Sequence, residues 1–133
     1  MDAAQALADL TEISSQIVHV AIVAADGSVL ASTLDDESRA ARFAEGAATL
    51  LAEADAAREA RGLVGLVQLE AATLHGSVFI VRSPEGSSYI AAVTRPEPTV
   101  GLVFYDLKHS LKSATPANPP GRAPRRKKAD ASA

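Results

Sequence analysis

The sequence predicts a single α/β domain of the α+β kind, with an antiparallel sheet covered by helices on both faces. Three observations lead to this prediction. Hydrophobic residues make up 47% of the 133 residues and charged residues 22%, which is the balance of a globular protein. Strand-like and helix-like periodicities alternate along the chain, and hairpin-length connections separate neighbouring strand-like runs. We expect the domain to occupy residues 1–113 and a tail to occupy residues 114–133.

The first elements are a helix and a hairpin. Apolar residues recur at helical spacing over residues 3–15, and Asp2 stands near the start, so we predict an amphipathic helix. The β-branched run Val18–Val23 predicts a strand. The dipeptide Asp26-Gly27 then predicts a tight turn, because such turns need positive φ, and Val29–Ser32 is the expected returning strand.

The longest predicted helix covers residues 35–60, which contain no proline and many alanines. Asp35-Asp36-Glu37 at its front suits the positive end of the helix dipole, and Arg58 and Arg61 suit the other end. Gly62 is a residue type that commonly ends a helix.

Three further strands and a closing helix complete the domain. We predict strands over Leu63–Ala71, Leu74–Arg82 and Ser88–Thr94, with a turn at Pro84-Glu85-Gly86. Apolar residues at i, i+3, i+4, i+7 and i+11 predict a last amphipathic helix over Val100–Leu111. Because the strands are apolar on both faces, both faces must be covered. We expect the long helix on one face and the two terminal helices on the other.

The tail has a composition that favours disorder, with four prolines, many small residues and a basic cluster. It carries five basic residues and one acidic residue, so its formal charge is +4, and the total of −3 leaves −7 for the rest. The cluster is a solvated tail, or it binds an acidic partner or anionic lipid, or it touches nucleic acid without specificity. It lacks interleaved aromatic residues, so DNA is not expected as a partner. Its residues are Arg122, Arg125, Arg126, Lys127 and Lys128.

Residues that carry chemistry do not form any recognisable pattern. The chain has no cysteine, no P-loop and no nucleophile elbow, and its three histidines lack metal-ligand spacing. The consecutive acids Asp35-Asp36-Glu37 cannot all face one ion, and a helix N-terminus explains them. We therefore predict no enzyme and no catalytic residue, cofactor or metal. With no basic leader region and no apolar run of about 20 residues, we expect a cytoplasmic protein.

Several segments, in this order, resemble the roadblock family, which includes the dynein light chain roadblock and MglB-like bacterial proteins. The hairpin Asp26-Gly27 followed by Val29–Ser32 is similar to the family's "DG-x-x-x-A-S" turn. The alanine-rich stretch Arg42–Ala56 is similar to its central helix, and Gln68-Leu69-Glu70 resembles its "Q-x-x-V-E" strand with the apolar residue shifted. Thr99–Leu107 is similar to the start of its last helix.

The resemblance implies the roadblock fold, which is profilin-like, with five antiparallel strands in the order 2-1-5-4-3. It also implies a homodimer, or a heterodimer with a roadblock paralogue, in which two sheets join. Members of the family regulate small Ras-like GTPases in bacteria, serve as dynein light chains, or act as scaffolds for Rag-type GTPases. The single-domain layout here looks like the bacterial type.

The expected dimer interface combines the central helix with the third strand, an edge strand in that order. An edge strand without proline or lysine is usually paired or covered, either by a second chain or by a loop. The alanines of the long helix either reflect helix propensity alone or form two buried faces, one on the sheet and one on another helix. The residues predicted for the interface are Ala44, Ala48, Leu51, Leu66, Gln68 and Glu70.

Three classes of function remain open at this stage. The first is a non-enzymatic regulatory or scaffold module that binds a small Ras-like GTPase. The second is a small-ligand sensor with a profilin-like fold, which would need a cavity of hundreds of Å³. The third is an adaptor of the dynein light chain type.

Overall fold

A computed structural model describes residues 1–59 and 67–114. The elements are α1 (Ala3–Ile13), β1 (Ile17–Ala24), β2 (Val29–Ser32), α2 (Glu37–Glu59), β3 (Gln68–Thr73), β4 (Gly76–Arg82), β5 (Ser88–Thr94) and α3 (Val100–Ala114). The predictions that concern Arg61, Gly62 and Leu66 lie outside the described residues. So do those for the tail, including Arg122, Arg125, Arg126, Lys127 and Lys128.

The five strands form one sheet in the order β2-β1-β5-β4-β3, and every neighbouring pair is antiparallel. This confirms both the predicted class and the strand order that the resemblance implied. The central strand β5 pairs with β1 on one side and with β4 on the other.

The terminal helices α1 and α3 cover one face of the sheet. Their apolar faces pack on strand residues such as Val20, Ile22 and Ile90, each at most 1% exposed. Phe79 of β4 meets Phe104 of α3 edge to face, with ring centroids 4.9 Å apart. An edge-to-face pair of this kind adds stabilisation beyond the apolar area that it buries.

The long helix α2 covers the other face, as predicted. Ala44, Ala47 and Leu51 pack against strand residues that include Val23 and Ile80. Alanine is small enough to let the helix backbone lie close to the sheet. With the cluster under α1 and α3, the sheet therefore has a hydrophobic core on each of its faces.

Hydrogen bonds from backbone amides to aspartate side chains determine where the first two helices begin. The Asp2 carboxylate accepts a hydrogen bond from the Gln5 amide at 2.8 Å, which caps α1. The Asp36 carboxylate accepts one from the Ser38 amide at 2.8 Å, so α2 begins at Glu37, two residues later than predicted.

The predicted turn between β1 and β2 is confirmed. Gly27 has φ +93°, and the Asp26 carboxylate accepts hydrogen bonds from the Ser28 hydroxyl and amide groups. These bonds, that of the hydroxyl first, hold the pKa of Asp26 below its usual value.

Two predictions about the strands are wrong in detail. Val18 starts the predicted first strand, which was expected to be covered on both faces, but its side chain is 49% exposed, because a register shift between Ile17 and His19 turns it outward. Leu74 and His75 were expected in the fourth strand but lie in a turn, so Leu74 is 91% exposed. The Thr73 hydroxyl group closes this turn by donating to the Gly76 carbonyl at 2.7 Å and accepting from the His75 amide.

Candidate interaction surface

The edge strand β3 is the first part of the predicted interface. Within the described residues it pairs only with β4, and that ladder extends to Val67, whose carbonyl accepts from the Arg82 amide at 2.8 Å. The outer backbone groups of a strand at a sheet edge have no ladder partner. β3 is therefore a place where a second strand can pair.

The side chains of β3 alternate between the two faces of the sheet. Glu70 lies opposite Phe79, and Gln68 shares its face, so both belong to the side that carries α1 and α3. Leu69 packs on the α2 side. The described strand is shorter and more polar than predicted, because the apolar residues before Val67 lie outside the described range.

Helix α2 presents a second row of alanines that the sheet does not bury. Ala41, Ala48 and Ala52 are exposed, at i, i+7 and i+11 along one stripe, with Glu45 between them at i+4. We call Ala41, Ala48 and Ala52 the alanine stripe. An exposed row of small side chains allows another backbone to approach closely.

An ion pair indicates which way the alanine stripe faces. Asp55 follows Ala48 and Ala52 at i+7 and i+3, so it borders the stripe. Its carboxylate lies 2.7 Å from the guanidinium of Arg82 on β4, and both side chains are about a quarter exposed. This flank of α2 therefore lies toward β4 and the β3 edge, and not toward β2.

The described interface residues fall into two groups. Ala44 and Leu51 are 3% and 4% exposed and pack on the sheet of their own chain, so they hold α2 in place and present no surface. Ala48 is exposed on α2, and Gln68 and Glu70 are half-buried on β3. The interface itself stays a prediction.

Sequence reasoning missed two members of this surface. Ala41 and Ala52 share the stripe with Ala48, and their spacing was visible in the sequence. The ion pair between Asp55 and Arg82 had no sequence signal, because it joins residues 27 positions apart.

The described residues also bear on chemistry. No three His, Cys, Asp or Glu side chains among them lie close enough to hold a metal ion. His19 is half-buried on β1, His75 lies exposed in a turn, and His109 stacks over Tyr105 on α3 with ring centroids 6.4 Å apart. No helix in residues 1–59 or 67–114 is long and apolar enough to cross a bilayer.

A cleft of about 560 Å³ opens where α3 meets the end of β4. Val67, Val81 and Leu111 contribute apolar surface, and Lys108 and Lys112 of α3 stand beside it. The cleft has the size that a small-ligand sensor requires. Most of the surface that lines the cleft is apolar.

Comparisons of sequence find no relative. No protein-family model matches the chain. No curated protein matches it either.

Solved structures, in contrast, match nearly the whole domain. A Roadblock/LC7 domain from Streptomyces avermitilis superposes with a TM-score of 0.74 at 17% identity, covering 85% of this chain and 94% of that one. An MglB in a tetrameric arrangement gives 0.71 at 14% identity, with 84% of each chain covered. LokiProfilin1, in a complex with rabbit actin, gives 0.55 at 16% identity and covers 83% and 92%. The chain therefore has the Roadblock/LC7 fold, which is related to that of profilin.

Proposed function

We propose that this protein is a regulatory or scaffold module of the roadblock family, which dimerises and binds a small Ras-like GTPase in the cytoplasm. The observation that carries the proposal is the Roadblock/LC7 fold, in which β3 pairs only with β4 among the described residues and α2 carries an exposed alanine stripe. Both features are suited to contact with another protein.

The positions of the β3 edge and the alanine stripe support the proposed dimer. A second copy of β3, related by a two-fold axis, would satisfy the outer backbone groups of the edge and make one continuous sheet. The two α2 helices would then lie side by side, with their alanine stripes in contact. The MglB structure with a tetrameric arrangement supports self-association in this fold. A roadblock paralogue could take the place of the second copy by the same geometry.

The GTPase partner rests on the resemblance to the roadblock family. A joined sheet with two helices on it offers a broad, rigid platform for the mobile switch loops of a GTPase. Regulation requires that the module bind the GTP and GDP forms with different affinity, because equal affinity shifts no equilibrium. The module itself would supply no nucleotide chemistry.

Calorimetry of the full chain against each small Ras-like GTPase of its organism tests the proposal. Each GTPase is loaded with GDP or with a non-hydrolysable GTP analogue. We expect one GTPase to bind, with clearly different dissociation constants for the two forms. Equal constants would reduce the protein to a scaffold, and no binding to any of them would remove the proposal. The chain alone should show no GTP hydrolysis.

The cleft beside α3 favours a second candidate, a sensor for a small apolar molecule with an anionic group. The anion would meet Lys108 and Lys112, and the apolar part would meet Val67 and Leu111. Titration with the dye anilinonaphthalene sulfonate, which has this chemistry, tests it. Saturable binding of the dye would support a ligand site if Val67→Glu, in the cleft, abolishes it. Leu74→Glu, outside the cleft, is the control and should preserve the binding.

A further inference from the structure

A groove, separate from the cleft beside β4, runs between α1 and α3 on the face of the molecule away from α2. The two helices are antiparallel, since the Ser110 hydroxyl donates to the Ala6 carbonyl at 3.3 Å and the Met1 amino group lies 3.2 Å from the Ser113 carbonyl. The groove has a volume of about 300 Å³. Its Ser113 end is also the end of α3, from which the tail leaves the domain.

The carboxylate of a largely buried residue lines this groove. Asp106 of α3 is only 8% exposed. Its carboxylate forms no hydrogen bond or ion pair with any other residue that the structure describes. Its carboxylate oxygens are not fully buried, so they reach solvent through the groove, where a cationic group can bind a carboxylate through charge-assisted hydrogen bonds. Asp106 therefore marks a position where a cationic group would be stabilising.

Two more carboxylates extend the negative charge along α1. Asp9 and Glu12 also line the groove, on the opposite wall from Asp106, and the Met1 ammonium group and His109 line it as well. These carboxylates do not come close enough to chelate a metal ion. Charge spread along a groove in this way suits several cationic side chains of one extended segment better than it suits a single ion.

We propose that this groove binds the chain's own basic cluster, Arg122, Arg125, Arg126, Lys127 and Lys128. The tail carries +4 and the remainder of the chain −7, so the charges are complementary. An arginine of the cluster pairs with Asp106 through its guanidinium, which matches a carboxylate in a bidentate geometry. The remaining cations lie along Asp9 and Glu12.

The length of the tail allows this contact. Eight residue steps separate Ala114 from Arg122, and an extended chain of that length spans about 26 Å. The wall of α1 from Ala6 to Ile13 is about 10 Å long, since a helix rises 1.5 Å per residue. The tail leaves α3 at the groove's own end, so it can turn back without crossing the domain. A tail held in this way is withheld from acidic partners and anionic lipid surfaces.

Paramagnetic relaxation in the full chain tests the proposal. The chain has no cysteine, so Ala129→Cys provides a single thiol for a nitroxide label. We expect the label to broaden the amide signals of Asp9 and Glu12, which are more than a hundred residues away in sequence. The signals of Glu53 on α2 and Leu74 in the β3–β4 turn should stay sharp. The broadening should be lost in 1 M salt, where the screening length falls to about 3 Å.

Charge variants and a mixing experiment complete the test. Asp106→Asn should abolish the broadening, whereas Glu85→Gln, which removes one charge outside the groove, should leave it unchanged. Should Asp106→Asn fail to fold, the exposed pair Asp9→Asn with Glu12→Gln gives the same test. Equal broadening on α2 and α1, or no effect of these variants, would overturn the proposal. Broadening of an isotope-labelled chain by the nitroxide of a different chain would show that a neighbouring copy's tail binds, and would also overturn it.

Discussion

Tyr89 shows how one side chain connects the sheet to α2. It is 7% exposed on β5, and its hydroxyl group donates a hydrogen bond to the Ala44 carbonyl of the helix at 3.0 Å. Burial raises the pKa of Tyr89 above its usual value, because the charged phenolate is poorly solvated there. The native state therefore favours the neutral phenol.

Tyr89→Phe should lower the free energy of unfolding by about 1 kcal/mol at neutral pH, through loss of the hydrogen bond. It should also change the pH dependence. In the unmutated chain the unfolded tyrosine ionises near pH 10, before the folded one does, so stability is full below about pH 10 and falls as the pH rises further. In Tyr89→Phe, the loss of stability above about pH 10 that comes from Tyr89 should be absent. Urea unfolding curves at a series of pH values measure this. Tyr105→Phe, at an exposed position, should keep the decline, and an unchanged decline in Tyr89→Phe would contradict the assignment.

Position 76 requires glycine for two reasons, the conformation of its backbone and the closeness of the β5 backbone. Gly76 has φ +147°, and an added Cβ would lie 2.3 Å from the Thr94 carbonyl oxygen of β5. We expect Gly76→Ala to lower the free energy of unfolding by about 3 kcal/mol or more, because the backbone of β4 or β5 must move to make room for the added Cβ. The matched control is Gly101→Ala on α3, where a Cβ meets nothing within 4 Å. That variant should be neutral or slightly stabilising, and similar effects at the two positions would rule out the close contact as the cause.

At the scale of elements, α2 has two rows of alanine with different roles. One row, with Ala44 and Ala47, packs on the sheet, and the alanine stripe on the flank stays exposed. From the sequence, the alanines either reflected helix propensity alone or formed two buried faces, and within this chain only one of the two rows is buried. The sequence did not separate Ala44 from Ala48, because the two residues are chemically identical and stand one turn apart.

Ala48→Glu should dissociate the proposed dimer without unfolding the domain. A carboxylate placed between two close helices would cost about 3 kcal/mol, so the dissociation constant should rise by at least about 100-fold. Ala57→Glu adds the same charge to an exposed position about half a turn round the helix from the stripe, and it should leave the dimer intact. Light scattering at micromolar concentration measures both. A monomeric unmutated chain would exclude the homodimer and leave only a heterodimer.

Element boundaries were predicted well where side-chain chemistry acts locally. The limits of β2 and β5 agree with the prediction, and the turn between β1 and β2 follows from Asp26 and Gly27. The start of β4 was wrong, because Leu74 and His75 look like strand residues. Their turn depends on the Thr73 hydroxyl group and on the conformation of Gly76, neither of which periodicity reveals.

At the scale of the whole molecule, charge is divided between the domain and the tail. The tail offers cations and prolines but few apolar side chains, so it has little apolar area to bury. Its contribution to stability should therefore be electrostatic and sensitive to salt.

Truncation after Ser113 should leave the melting temperature unchanged in high salt, where tail and domain charges are screened. At low salt a decrease of a few degrees at most is expected, since exposed charge pairs contribute up to about 1 kcal/mol. Calorimetric melting of both chains at two salt concentrations provides the measurement. A fall of several degrees in high salt would show that the tail packs on the domain through apolar contacts.

The sequence by itself determined the order and type of the elements and the two-sided cover of the sheet. These depend on periodicity and turn chemistry, which act over a few residues. Only the tertiary structure decided which alanines of α2 are exposed, because that depends on how the helix is rotated on the sheet. Only the tertiary structure shows that Asp106 lines the same groove as Asp9 and Glu12, since helices from opposite ends of the chain form that groove. A pattern within one helix carries no information about which side chains the other helix will place beside it.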